Sequence, residues 1–264
     1  MRWRDQLTAA IRRDCLLDVR YRIAFVLGLI DVMVTLVSYG YLAGLFGDRR
    51  PDGYAPLPFL LVGLALTNSL TTAMVGLAMS VRTAQQAGTF KALLGLPISP
   101  ARLLLVSMAY PAMRALLDFA VLMIAAVALG VDLSRAHWTA AVVVFGLGVA
   151  SVCVIGVISA CCAVIFKRGD PVLWIAGTAT WLLCGVLYPT SVLPAWLQPL
   201  TLLMPTTHAI AAMRAAAIDG AAWSAMGSEL LALVLFVGLG LPASLAMFTA
   251  AVAWARRSGT LGHA

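Results

Sequence analysis

Six runs of apolar residues, near 23–46, 57–81, 103–130, 138–166, 172–187 and 229–254, dominate the chain. A helix needs about 20 apolar residues to cross a hydrocarbon core about 30 Å thick. Inside that core each backbone N–H and C=O must be satisfied by the protein itself, so irregular chain survives there only when it is buried against protein. Of the 264 residues 62% are hydrophobic and 11% charged, with a mean hydropathy of +0.97. A soluble domain needs far more charge to stay dispersed. The expectation is an all-α integral membrane protein, a single domain over 1–264 with six transmembrane helices.

The fifth run is short, and the stretch after it is unusual. Residues 188–214 remain apolar yet carry Pro189, Pro194, Pro199 and Pro205. Each proline removes a backbone donor and clashes with the turn before it, so a continuous membrane helix does not tolerate that density. Ordinary water-exposed loops are less apolar than this. Both facts are met by a broken, re-entrant hairpin over 188–204, between the fifth and sixth spans, dipping into one membrane face and buried against other protein.

Charge placement sets the expected orientation. With both termini on one side, that side holds Arg2, Arg4, Arg12, Arg13, Arg20, Arg22, Arg82, Lys91, Arg102, Lys167, Arg168, Arg256 and Arg257. The other side holds Arg49, Arg50, Arg135 and Arg214. Thirteen against four places both termini in the cytoplasm of a multi-pass cell-membrane protein. The net charge of +7 does not imply a nucleic-acid partner, because the basic residues flank apolar runs and form no basic stretch interleaved with aromatics. The first 22 residues are polar and arginine-rich, with no short apolar core and cleavage site after them, and so do not read as a signal peptide. Trp3, Leu7, Ala10, Ile11 and Leu17 share one face of 1–22, interrupted by Asp14 and Asp18. That segment reads as an amphipathic interfacial helix on the membrane, or as a basic lead-in that merely fixes topology.

Several chemistries lack their residues. Neither Lys91 nor Lys167 sits in the glycine-rich G-x-x-x-x-G-K-[ST] loop that would carry a nucleotide phosphate. His137, His208 and His263 lie far apart in sequence with no acids or cysteines beside them, so no metal site is expected. The five cysteines, mostly inside apolar runs, show no ligand spacing. Asp31 in the first span and Arg114 with Asp118 in the third lie at membrane depth. Arg114 and Asp118 are four apart and can pair; the three form either a polar lining to a substrate path or a structural ion-pair cluster. Gly40 and Gly44 form a G-x-x-x-G that permits close helix approach. Between the second and third spans, Phe90, Leu93 and Leu94 give 82–96 an apolar face, with Pro97 and Pro100 enforcing a stop. This is a site for a cytoplasmic partner or a plain connector.

Two segments carry a resemblance to the type-2 ABC exporter permeases, the membrane subunits of drug, polysaccharide and lipid-linked exporters. One is Gly88-Thr89-Phe90-Lys91-Ala92-Leu93-Leu94 through Pro97-Ile98-Ser99. The other is Gly185 to Pro189, then Leu193-Pro194 with Trp196-Leu197-Gln198, Pro205 and Arg214. The six-span layout extends the likeness over essentially the whole chain. It implies that 82–96, with Arg82, Gln86, Gly88, Thr89, Phe90, Lys91 and Leu94, is a coupling helix docking on an ATPase subunit. Where many members carry glutamates beside the Gly-Thr, this chain has Gln86 and Lys91. Tyr188, Pro189, Pro194, Trp196 and Pro205 would belong to the hairpin capping the path. The chain would have no catalytic site, metal or cofactor of its own. ATP and magnesium would sit on two partner ABC ATPase subunits, and a second permease copy or a homologous chain would complete the path. The segments look most similar to drug-efflux members, which implies export of an amphipathic or hydrophobic substrate (drug-like, lipid or glycan). A proton-coupled carrier using Asp31, Arg114 and Asp118 is the alternative, though no inverted repeat of the kind such carriers show is visible. A membrane enzyme acting on lipids would need clustered histidines or acids, which the sequence lacks.

Overall fold

The computed structural model describes residues 34–35, 37–45, 50–86, 88–89, 99–166 and 171–257. Among them all regular structure is helical: α1 (37–45), α2 (Pro56–Gln86), α3 (Pro100–Ser107), α4 (Ala109–Ala128), α5 (Trp138–Phe166), α6 (Pro171–Leu183), α7 (Gln198–Leu202), α8 (Pro205–Ala217) and α9 (Gly227–Arg257). Among the described residues four stretches are long and apolar enough to cross a membrane: Pro56–Gln86, Pro100–Ala128, Trp138–Ile165 and Trp223–Arg257. The interfacial helix expected over 1–22 and most of the first expected span lie outside the described residues.

The central helix is α2. Its 31 residues extend roughly 46 Å at 1.5 Å per residue, well beyond a bilayer core. It packs between α4 and α5, and α9 covers another face of α5. Accordingly 72% of the α2 spanning window is buried, against 11% for the last span, whose sides face outward. The order α4–α2–α5–α9 leaves α8 wedged among α2, α5 and α9 at one end of the bundle, the end that carries the proline-rich segment. At that end the tip of α1 also joins, with Ala43 buried against Phe59 and Leu60. Among the described residues nothing lies within 4 Å of a Cβ placed at Gly40 or Gly44.

Close helix crossings explain several glycines. A Cβ at Gly156 of α5 would lie 2.9 Å from the Met74 carbonyl oxygen of α2, below any tolerable contact. At Gly76 it would fall 3.1 Å from the Pro111 ring. Pro111 also explains why the third span is two helices: it cannot donate to the Ser107 carbonyl, and the chain turns at Met108 before α4 begins.

The fifth expected span is shorter than the 172–187 anticipated. Helix α6 stops at Leu183, and 13 residues give about 20 Å, too little for a full crossing. Gly185 takes a φ of +72°, a left-handed conformation that costs an L-residue about 1–2 kcal/mol, and the chain folds back there. The coupling helix expected over 82–96 is also corrected at its start. Arg82–Gln86 are the last turn of α2, closed by Gly88 at φ +68° with its N–H on the Gln85 carbonyl. Phe90, Lys91 and Leu94 lie outside the described residues, so only the chain beyond Thr89 remains for a separate element.

Gly156→Ala is expected to lower the thermal midpoint of the purified protein in detergent, because α2 and α5 must separate. Gly146→Ala, on the same helix with open space around it, leaves the midpoint unchanged or raises it. Equal behaviour of the two variants would contradict this packing.

Candidate functional site

The proline-rich segment is broken chain, as its composition predicts. Pro189 precedes a 3-10 turn over Thr190–Val192, and Pro194 opens a turn in which its carbonyl accepts from the Leu197 N–H at 2.8 Å. Pro199 lies in the first turn of α7, and Pro205 begins α8, where the missing N–H costs nothing. Side chains repair the interruptions. The Tyr188 hydroxyl donates to the Leu182 carbonyl, one of the acceptors left open where α6 ends. The Gln198 amide donates to Leu193 O at 3.0 Å. Trp196 projects outward, 73% exposed.

Arg214 anchors this segment to the bundle. The sequence counts it as a loop charge, yet it is only 5% exposed. Its Nε and Nη2 donate to the Phe59 carbonyl at 3.2 and 3.0 Å, and Nη2 also donates to the Val186 carbonyl at 3.2 Å. The guanidinium carbon stands 3.5 Å from the centre of the Phe59 ring. One cation thus ties α8 to the start of α2 and to the bend after α6. A Cβ at Gly63 would fall 2.5 Å from Nη2, so the glycine makes room for the guanidinium. Burial pulls the Arg214 pKa down from its ordinary value, opposed by the charges of Asp52 and Tyr54. Near it the Tyr54 hydroxyl donates to Asp219 at 2.6 Å, and burial first, then that carboxylate, hold the phenol well above its ordinary range. Asp52, Tyr54, Cys184, Thr190, Thr207 and Arg214 line a cleft of about 260 Å³ here.

A second polar node at the same end is His208. Its Nδ1 contacts Glu229, in the first turn of α9, and its Nε2 lies 2.9 Å from the Leu202 carbonyl at the end of α7. In the sequence no acid stands beside any histidine; the fold brings one across 21 residues.

The charges expected at membrane depth separate into described and undescribed. Arg114 Nε donates to Asp118 Oδ1 at 3.1 Å on α4, the anticipated pairing. Thr72 of α2 adds a hydroxyl to Asp118 at 3.1 Å, a partner that residue spacing does not disclose. Asp31 lies outside the described residues. No group of three histidines, cysteines or acids able to hold a metal occurs among the described residues. Arg82 is half-buried, whereas Gln86, Gly88 and Thr89 are exposed at the opposite end of α2 from Arg214.

Phe59, Gly63 and Val186, which build the Arg214 node, were invisible in sequence because two contribute carbonyls and one contributes only space. Arg214→Met leaves the Val186 carbonyl without its donor and removes the added bonds to Phe59, and is expected to cost on the order of 2 kcal/mol. Gly63→Ala displaces the same guanidinium. The double variant should therefore be less destabilised than the sum of the two singles. Strict additivity in a denaturation series would show that the glycine and the arginine act independently.

A family profile described as ABC-2 type transporter, the membrane component, matches residues 5–218. No curated protein matches the chain. The match spans the central helices, the Gly88-Thr89 turn, the broken segment and Arg214, which places those features inside the shared framework. It covers well over half of a chain whose long helices are apolar enough to cross a bilayer, and this protein therefore belongs to the ABC-2 type transporter membrane family.

Proposed function

We propose that the chain is one permease half of an ATP-driven exporter. Its cargo would be amphipathic or hydrophobic, a drug-like molecule, lipid or glycan, taken from the cytoplasm or inner leaflet. Family membership supports the permease role. Two ATPase subunits carrying ATP and magnesium would supply the energy, and a second copy or a homologous permease would close the path. Both termini would then be cytoplasmic, and the end of the bundle that carries the proline-rich segment would face outward, with 188–204 forming a hairpin that re-enters the membrane from that side.

The observation that carries this reading is the Arg214 node. A buried cation fixes the bend that leads into the broken, apolar and largely exposed segment 188–204 to the start of α2, so that segment would sit over the bundle end as a lid over a path requires. At the other end α2 stops at Gln86 before the Gly88 turn, with Gln86, Gly88 and Thr89 exposed; Phe90, Lys91 and Leu94 would belong to the element that docks on a cytoplasmic partner. The outward sides of α4 and α9, with Leu116, Leu117, Ile124, Leu231 and Leu239 exposed, suit lipid or a second permease. ATP binding would draw the ATPases together, and the chain beyond Thr89 would pass that motion to α2 and hence to the hairpin. Transport is then a shift between two states that bind cargo differently. The Arg114–Asp118 pair, already satisfied internally and by Thr72, would stabilise the α2–α4 contact or line the path.

The test is reconstitution with a co-purifying ATPase subunit. ATP should drive export without a proton gradient, and Phe90→Glu or Leu94→Glu should weaken ATPase capture roughly tenfold or more. Asp118→Asn should leave ATP-driven transport in place. Export driven by a proton gradient with no ATPase present would replace this reading with a secondary carrier.

A further inference from the structure

We propose that His208, Glu229 and the Leu202 carbonyl form a proton-dependent clamp that fastens the broken hairpin to the last span. It is a property of the chain itself; only the consequence for an outer lid rests on the exporter reading above.

Hydrogen-bond arithmetic fixes the proton count. Nε2 of His208 faces the Leu202 carbonyl, which can only accept. Nδ1 faces a Glu229 carboxyl oxygen. Satisfying both contacts requires a hydrogen on Nε2 and a second one between Nδ1 and the carboxyl. Imidazole and carboxyl together must therefore hold two protons, whichever atom carries the second. Remove one, and a single N–H remains to serve two oxygens. The other ring nitrogen then turns a lone pair toward an oxygen, and one contact is lost.

Each contact joins different elements. Leu202 is the last residue of α7, whose terminal carbonyls have no intrahelical donor. Glu229 lies in the first turn of α9, where the helix dipole favours a negative charge. His208 stands on α8 between them. With the proton present, α7, α8 and α9 are tied at one point; without it, either α7 or α9 is released.

The surroundings leave this proton little competition. Helix α8 packs on α2, α5, α6, α7, α9 and the 3-10 turn Trp223–Met226. The ionisable groups on those elements are Arg82 at the far end of α2, Cys153, Cys161 and Cys162 of α5, Glu229, and Arg256 and Arg257 at the far end of α9. On α8 itself Arg214 is engaged with Phe59 and Val186. The Cys184 thiol lies beside Thr180 and Thr207. Glu229 is thus the charged group that faces the imidazole. Its hydrogen bond is the main cause that raises the His208 pKa above the ordinary 6.5, against the opposing effect of burial. Because the folded-state value is raised, the clamp is fully formed below pH 6.5 and is lost as pH rises through that higher value.

Hydrogen exchange on the full-length protein in lipid nanodiscs, from about pH 5 to about pH 9 and corrected for intrinsic rates, tests the clamp on the chain alone. Protection of the backbone amides of 198–204 should fall about tenfold for each unit by which the imidazole pKa is raised. His208→Ala should be unprotected throughout. Glu229→Gln should stay protected to the alkaline end, because its amide N–H can donate to Nδ1 of a neutral ring while Nε2–H still reaches Leu202. A role in packing alone would not produce that rescue. Flat protection in the wild-type protein, a protected His208→Ala, or a Glu229→Gln variant as pH-sensitive as the wild type would each overturn the proposal. Failure of ATP-driven transport would bear on the exporter reading and leave this result untouched.

Discussion

A guanidinium lodged between two backbone carbonyls is what allows this chain to interrupt its own helices among apolar neighbours. The bend after α6 leaves the Val186 carbonyl outside any helix, and in such surroundings an orphan carbonyl costs about 1–3 kcal/mol. Arg214 supplies donors to Phe59 and Val186 at once and rests on the Phe59 ring. A lysine, with a compact charge and no planar fork, has no equivalent reach. The helix bearing Arg214 is thereby fixed among α2, α5 and α9, and the cleft beside Asp52 and Thr207 results from that placement.

The same economy recurs elsewhere in the bundle. Polar side chains appear where a helix ends or where two helices cross, and they are directed at specific acceptors. Tyr188 closes the end of α6, His208 meets the end of α7 and the start of α9, and Thr72 reaches Asp118 across the α2–α4 contact. Glycine plays the complementary part. Gly63 and Gly156 provide room for a cation and for a backbone carbonyl, which larger residues would exclude. The end of the bundle around Arg214 and His208 is consequently dense in directional contacts, whereas α4, α6 and α9 present broad apolar sides suited to lipid or another subunit. An element that moves against the rest must break few contacts. Short α7, which His208 meets through a single ring nitrogen, comes closer to that condition than any of the long helices.

Much of the architecture was legible in residue order. Long apolar runs with few charges yielded the helices at 56–86, 138–166 and 227–257 to within a few residues, since hydrophobic length is a local property. Proline spacing foretold the broken stretch after residue 188, because each ring acts on its own turn. The i,i+4 spacing of Arg114 and Asp118 foretold their pairing for the same reason. Where residue order fell short, a local rule met a competing local signal. Gly185 ended α6 earlier than hydropathy suggested, and α2 ran on through Arg82–Gln86 until the Gly88 turn closed it.

By itself, then, the order of residues determined that the chain is helical and membrane-bound, where it is interrupted, and that it carries no phosphate-binding loop. Tertiary structure alone decided that Arg214 is a buried tie and not a loop charge, and that Gly63 exists to make room for it. It also decided that His208 meets Glu229. Those facts depend on contacts between residues 21 to 155 positions apart, and on backbone oxygens that every residue possesses alike. No side-chain alphabet records which carbonyl will be left without a donor once the helices have packed.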